Sequence, residues 1–416
     1  MYRNEKINIL TNKFWSIILR GGGVSGKFLL VFLFTKKISL EFQGEYTLVS
    51  SSVALLIILL GLDFYVYTNR IIVKQPNKLV FVFKNSLVFY LVSYLFLLPI
   101  LYLMTGIELI DKNMILILFF LTISDHLSQE LFRIFIAIEK VVPANIIFFL
   151  RTGAWSWPVA IYIFFKSNSK FDLLDVLLVW LIFSIISVIF GVLSIPDIKN
   201  FNKEKINKKW LFKGLKAGLF LFLGTVFLKI MEYSDRYFIS YFLGNKDLGI
   251  YSFYFQFSNL LNIILFTLFI SYAYPKILKN VYCKDVIELE KTKKKLVSNI
   301  VFTSVLFFFF AVFALPYLLQ VVGKDDLKSN LGVMYVLILS TFVFNLSFFS
   351  HFVLIADEKD KLIVKSSLVA CLINLTLSFT LLPVVGIYGA AISLLLSSVF
   401  MFLLKKYYEK RIINKW

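Results

Sequence analysis

The stretch LLDVLLVWLIFSIISVIFGVLSIPDIKNFNKEKINKKW (Leu173–Trp210) decides the fold class. From Leu173 to Ile195 it carries one charge, Asp175, and as a helix rising about 1.5 Å per residue it is long enough to cross a hydrocarbon core of about 30 Å. It then turns abruptly polar at Pro196 and stays so to Trp210. A surface helix of a soluble protein would show a polar stripe, whereas this one is apolar nearly all round.

Working outward, similar apolar runs follow one another along the whole chain. They predict twelve spans, near residues 14–34, 47–67, 80–104, 113–138, 141–165, 173–195, 211–242, 248–275, 296–322, 331–356, 361–384 and 387–404. The last two are separated only by Val385 and Gly386. The hydrophobic fraction is 59%, against about 45–50% in soluble domains, and the mean hydropathy is +0.82. A water-soluble globule is excluded. Continuous apolar runs also argue against a membrane barrel, whose strands alternate over about ten residues. The fold class is therefore an all-α polytopic membrane protein.

The net charge of +19 does not point to nucleic acid, because most of it sits in short connections between spans. With the N-terminus inside, inner segments hold Arg70, Lys74, Lys78, Lys199, Lys203, Lys205, Lys208, Lys209, Lys213, Lys276, Lys279, Lys284, Lys291, Lys293, Lys294 and Lys295. The tail adds Lys405, Lys406, Lys410, Arg411 and Lys415. Outer loops hold fewer cations, among them Lys112, Lys166, Lys170 and Lys246, mixed with acids such as Glu108 and Asp111. That asymmetry predicts cytoplasmic termini at both ends. No outer loop exceeds about a dozen residues, which leaves no room for the extramembrane domain of a membrane glycosyltransferase or polymerase. No cleavable signal peptide is expected, since the first apolar stretch contains Arg20 and Lys27 and lacks a small-residue cleavage site.

The polar stretch Pro196–Trp210 reads as the junction of two halves: residues 1–198, a linker 199–213, and residues 214–416. FQGEY (Phe42–Tyr46) after the first span is echoed by LGIY (Leu248–Tyr251) after the seventh. IAIEK (Ile136–Lys140) is echoed by IADEK (Ile355–Lys359). Such echoes predict parallel repeats, in which substrate binds between halves that rock.

Ionisable groups inside spans are costly and mark pathways or partners. The fourth span carries Thr122, Asp125, His126, Gln129, Glu130 and Arg133 at helical spacing on one face. The stripe can line a substrate or proton path, with His126 the natural titrating group; equally, Glu130 and Arg133 can neutralise one another, with Asp125 tied by Gln129. Deep cations outnumber deep acids: Arg20, Lys27, Arg133, Arg151, Lys216, Lys229 and Arg236 face only Asp63, Asp125, Glu130, Glu232 and Asp235. This excess predicts an anionic substrate, a pyrophosphate being a good candidate because Arg grips phosphate bidentately. Lys216 can instead snorkel to headgroups, whereas Lys27 and Arg151 lie too deep. Gly21, Gly22, Gly23 and Gly26 permit either bending or tight packing of the first span.

No catalytic or cofactor pattern stands out. GGGVSGKF (Gly21–Phe28) matches part of a nucleotide-binding loop, but Phe28 replaces the Ser/Thr, no strand precedes it, and it lies inside an apolar span. His126 and His351 fall in different halves, and Cys283 and Cys371 form no metal or redox motif. No metal, cofactor or nucleic-acid partner is expected.

Three stretches carry a family resemblance. DRYFISYFLGNKDLGIYSF (Asp235–Phe253) resembles the motif of polysaccharide-export flippases of the multidrug/oligosaccharidyl-lipid/polysaccharide (MOP) superfamily. Arg20–Ser52, closed by GLD at Gly61–Asp63, and LPVVGIYGAAIS (Leu382–Ser393) agree with it. The resemblance implies a MATE-like fold of two six-helix lobes and alternating access. It implies export of undecaprenyl-pyrophosphate-linked O-antigen or capsule repeat units across the bacterial cytoplasmic membrane, by a transporter and not an enzyme. It implies a cationic cavity, for which Arg20, Lys27, Arg133, Arg151, Lys229 and Arg236 are the candidates. Asp63, Asp125, His126, Glu130 and Asp235 are candidates for ion or proton coupling. The lipid bilayer, the lipid-linked oligosaccharide and the pathway's polymerase and chain-length proteins are the implied partners. A MATE-like drug or metabolite antiporter is the alternative, disfavoured by the shortage of acidic sites; a polysaccharide polymerase is the more distant one.

Overall fold

The structure, a computed structural model, describes residues 2–106, 109–165 and 171–415, and the side chains among them other than those of residues 2–14, 16, 17 and 221. Glu108, Lys166 and Lys170 therefore lie outside the described residues. The elements are α1 (Tyr2–Lys37), α2 (Leu40–Gly61), α3 (Phe64–Lys74), α4 (Leu79–Tyr94), α5 (Leu97–Gly106), α6 (Ile115–Ala137), α7 (Val141–Phe149), α8 (Ser156–Phe165), α9 (Leu173–Leu193) and α10 (Lys208–Leu243), followed by α11 (Asn245–Leu265), α12 (Ser271–Tyr282), α13 (Val286–Val322), α14 (Asp325–Ser329), α15 (Leu331–Ala356), α16 (Asp360–Val385) and α17 (Ile387–Ile413). Among the described residues there is no strand. Eleven of the described helical stretches are long and apolar enough to cross a membrane, and α10, bent by 47° between Phe220 and Phe222, makes twelve when taken as one span. The chain is a multi-pass membrane protein, and large apolar side chains such as Leu95, Phe313 and Val384 stand exposed on its surface, as lipid-facing residues do.

The structure corrects the expected spans in places. The single span expected over 47–67 is two helices, because Leu62 and Asp63 both adopt left-handed backbone (φ 46° and 49°) and interrupt the hydrogen-bond ladder between α2 and α3. The span expected over 296–322 begins ten residues earlier, at Val286, so Lys291 and Lys293–Lys295 lie on a helix and not in a loop. Likewise α17 runs on to Ile413, and Lys405, expected in the tail, is a buried helical residue.

The echoed segments adopt the same local structure. At the end of α6, Glu139 takes φ 58°, its N–H donates to Ile136 O, and Lys140 N–H donates to Phe135 O. At the end of α15, Glu358 takes φ 56°, with the same pair of bonds to Ile355 O and Leu354 O. This is the 6→1 and 5→2 pattern that satisfies the last carbonyls of a helix. The other echo brings its two copies into contact. A Cβ on Gly44 of α2 would lie 1.9 Å from Asn245 O of α11, and a Cβ on Gly249 of α11 would lie 1.9 Å from Leu40 O of α2. The two helices cross backbone to backbone, and each glycine sits one turn beyond the residue its partner touches.

By internal contacts the chain forms two compact units: residues 1–37 with 49–222, and residues 38–48 with 223–416. The first unit is cored by Val82, Phe83, Leu131, Phe135, Ala144 and Ile147. The polar stretch after α9 is fastened to it. Asn85 donates to Lys205 O (3.2 Å) and accepts from Asn207 N (2.8 Å), Lys84 donates to Phe201 O (3.0 Å), and the Trp210 ring packs edge-on to Phe64 and Phe81. The second unit is built on α17, which packs along both α15 and α16, with Met231, Ala370, Cys371 and Met401 in a shared apolar cluster.

Candidate functional site

In the first unit the helix between α7 and α8 widens into a π-turn over Leu150–Ala154. Such turns re-aim side chains and cluster at functional sites. This one carries Arg151. Its guanidinium Nη1 donates to Asp125 Oδ2 at 3.1 Å and to Gln129 Oε1 at 3.2 Å, so the partner of Asp125 is Arg151 and not, as expected, Gln129. Two buried atoms here have no hydrogen-bond partner, Asp125 Oδ1 and Arg151 Nε. The Lys27 ammonium lies 5.9 Å from the centre of the Trp180 ring, itself stacked on Trp155. Arg20 Nε donates to Asn145 Oδ1 at 2.9 Å, and its guanidinium lies over Phe148.

The glycines of α1 make this arrangement possible. A Cβ on Gly153 would fall 2.1 Å from Gly23 Cα, and one on Gly26 would fall 2.4 Å from Ser156 Oγ. Trp157 Nε1 donates to Gly22 O at 3.0 Å across the same seam. Tight packing is thus what these glycines provide. A contrast follows within one run: nothing lies within 4 Å of a Cβ on Gly21. Gly21→Ala is expected to leave the thermal midpoint of the purified protein unchanged or slightly raised, since Ala favours helix. Gly153→Ala, which drives a methyl into backbone, is expected to cost about 3 kcal/mol. Equal midpoints for the two variants would refute this packing.

The remaining stripe residues on α6 turn to α4. Tyr94 Oη and His126 Nδ1 are 2.7 Å apart, Tyr90 Oη donates to Glu130 Oε2 at 2.6 Å, Glu130 also pairs with Arg133, and Arg133 stacks on Tyr65 at 3.6 Å. The six residues expected on one path therefore divide between two networks, Asp125 and Gln129 on Arg151, and His126 and Glu130 on tyrosines; Thr122 is simply buried. Asp63 is buried at the left-handed junction before α3.

In the second unit Lys229 pairs with Glu232 at 2.6 Å, both part-exposed. Asp235, fully buried, accepts from Tyr251 Oη and from the Arg236 backbone N–H at 2.8 Å. Arg236 donates to Glu232 O at 2.5 Å and is sandwiched between Tyr233 and Phe255. The Asp235–Tyr251 bond ties α10 to α11, giving those two residues of the sequence motif a structural role. Of the six candidate cations, Arg133, Arg151, Lys229 and Arg236 hold carboxylates within their own unit. Among the described residues Arg20 and Lys27 make no ion pair. Sequence reasoning passed over Tyr90, Tyr94 and Trp180, and it gave no buried role to His351, Lys405 or Glu409. The last two fall on the stripe Met401–Lys405–Tyr408/Glu409–Ile412, a helical spacing that extends the apolar face of α17 beyond its apolar run.

This fold has known counterparts. The model of the polysaccharide biosynthesis protein family matches residues 9–281, well over half of the chain, and the chain belongs to that family. Among solved structures it is similar to an inward-facing multidrug-resistance MATE family transporter of the MOP superfamily (TM-score 0.71, 13% identity, 96% of this chain and 98% of that one). It is similar also to the lipid II flippase MurJ in an inward closed conformation (TM-score 0.66, 15% identity, 98% and 89%) and to the Vibrio cholerae MATE transporter VcmN (TM-score 0.60, 12% identity, 98% and 99%). At such identities the likeness concerns the fold, which is that of the MATE and MurJ transporters. No curated protein matches the chain by sequence.

Proposed function

We propose that the chain flips undecaprenyl-pyrophosphate-linked oligosaccharide repeat units, O-antigen or capsular, from the inner to the outer leaflet of a bacterial cytoplasmic membrane, with both termini cytoplasmic. The reading rests on family membership and on one observation above the rest: among the described residues Lys27 makes no ion pair within 4 Å, the nearby Asp125 being bonded to Arg151, and Arg151 on its π-turn has an uncommitted Nε. Two cations, Lys27 and Arg151, share the single carboxylate Asp125 here, an excess of charge that is expensive inside a membrane protein, and a phosphoryl group is the ligand that best repays it, because charge-assisted hydrogen bonds are the strong ones. Asp125 holds Arg151 in place until phosphate arrives, and the Lys27 ammonium supplies a second point of charge. The two six-helix lobes, residues 1–198 and 214–416 about the linker 199–213, alternate access around this group. The polymerase and chain-length proteins of such a pathway would receive the product on the far side.

A deletion strain tests the reading. Loss of surface polysaccharide, restored by the gene, with lipid-linked repeat units stranded on the inner leaflet, is the expected outcome. Single repeat units delivered to the surface without polymer would mark a polymerase instead. Unchanged surface polymer, with no related flippase substituting, would favour a drug or metabolite antiporter, the reading that the MATE-like fold supports.

A further inference from the structure

The end of α17 remote from Gly386 carries a buried cation that the site above does not use. Lys405 is 3% exposed. Among the described residues no carboxylate oxygen lies within 4 Å of its ammonium, and no hydrogen bond ties it. The acid one turn further on, Glu409, is already committed, to Lys293 Nζ at 2.6 Å and to the Ser350 hydroxyl.

Two further polar atoms are orphaned nearby. His351 Nδ1 on α15 is buried without a hydrogen-bond partner and lies within electrostatic range of Lys405. Ser367 Oγ on α16 is likewise buried and unpartnered. Its place follows from the hairpin of α16 and α17 about Gly386. Met401 shares an apolar cluster with Cys371, and one helical turn beyond each, a step of about 6 Å further from Gly386, come Lys405 and Ser367. Lys405 and Ser367 thus lie at the same level of the α16–α17 hairpin, with His351 of α15 within electrostatic range of Lys405.

An ammonium offers three N–H donors, a hydroxyl one more, and a neutral imidazole a further N–H in the right tautomer. Among the described residues no carboxylate is bonded to any of the three, Glu409 being held by Lys293 and Ser350, so the group is unsuited to a metal cation. A water molecule can satisfy a donor but cannot offset the charge, and a buried charge without counter-charge is costly. We propose that Lys405, His351 and Ser367 form a buried site for a compact inorganic anion, of the chloride or phosphate class, that fastens α15, α16 and α17 together.

The test is a thermal-midpoint titration of the full-length protein in neutral detergent, at constant ionic strength, with gluconate replaced stepwise by chloride or, separately, by phosphate. A third arm adds phosphatidylglycerol in gluconate alone. The wild-type midpoint is expected to rise saturably with chloride or phosphate, as ligand binding to the native state requires, and not with the lipid. Lys405→Met is expected to be at least as stable as wild type in gluconate and to lose the response. Ser367→Ala is expected to keep it with about tenfold weaker half-saturation, the loss of one charge-assisted hydrogen bond. A wild-type midpoint indifferent to both salts, a response to the lipid alone, or a response that survives in Lys405→Met overturns the site. The wild-type titration decides even where a variant does not accumulate.

Discussion

Lys27→Met is expected to abolish surface polysaccharide while the protein accumulates in the membrane at the wild-type level. The two halves of this result separate a substrate contact from a structural one. Among the described residues Lys27 makes no ion pair within 4 Å; it feels Asp125 only at longer range, and Asp125 keeps its bond to Arg151 when Lys27 is neutralised, while Met preserves much of the side-chain volume against Trp180. Arg151 behaves differently because it holds Asp125 at 3.1 Å. Arg151→Gln alone leaves Asp125 as an uncompensated buried charge, a loss of about 3–5 kcal/mol, and less protein is expected in the membrane. The double variant Asp125→Asn/Arg151→Gln replaces the ion pair with a neutral one and is expected to recover the protein level but not export. Quantitative immunoblotting of membranes beside surface-polymer staining reads both quantities. Wild-type polymer in Lys27→Met and in the double variant would remove the phosphate contact from the mechanism.

How much of this was legible in the chain depends on range. Apolar length is a local property, and the twelve spans follow from it because the bilayer fixes the thickness each must cross. The interruption at Leu62–Asp63 was not legible, since neither residue is glycine and left-handed backbone there carries no compositional mark. The charged stripe on α6 was visible as a stripe, yet spacing alone places side chains within a face without saying which neighbour each one meets. Asp125 reaches Arg151 and Glu130 reaches Tyr90 because α7–α8 and α4 lie on different sides of it, a tertiary fact. Lys405 was misplaced for a related reason. Its charge ended the apolar run and suggested a tail, while the buried face of α17 continued past it to Ile412. Positive charge near a span end marks orientation only where the side chain can leave the protein, and packing against α15 and α16 denies Lys405 that route.

The echo of FQGEY in LGIY shows the same gap between likeness and contact, and it leads to the second large effect. A repeat says that Gly44 and Gly249 are equivalent, with Tyr46 and Tyr251 two positions on from each; it does not say that they touch. In the structure each glycine lets its helix approach the backbone of the other, with a Cβ at either place 1.9 Å from a carbonyl oxygen. Real atoms do not tolerate that distance, and the obstacle is main chain, which cannot rotate away as a side chain can. Close crossing through small residues is a common way for membrane helices to associate, supported by Cα–H···O contacts. Gly44→Ala and Gly249→Ala are therefore each expected to cost about 3 kcal/mol by forcing the helices apart, seen as a lowered thermal midpoint and reduced membrane level. Because the crossing is reciprocal, the first methyl already separates α2 from α11, and the second finds room. The double variant is expected to fall well short of the sum of the singles. Strict additivity would mean that the two contacts are independent and that α2 and α11 do not meet as one crossing.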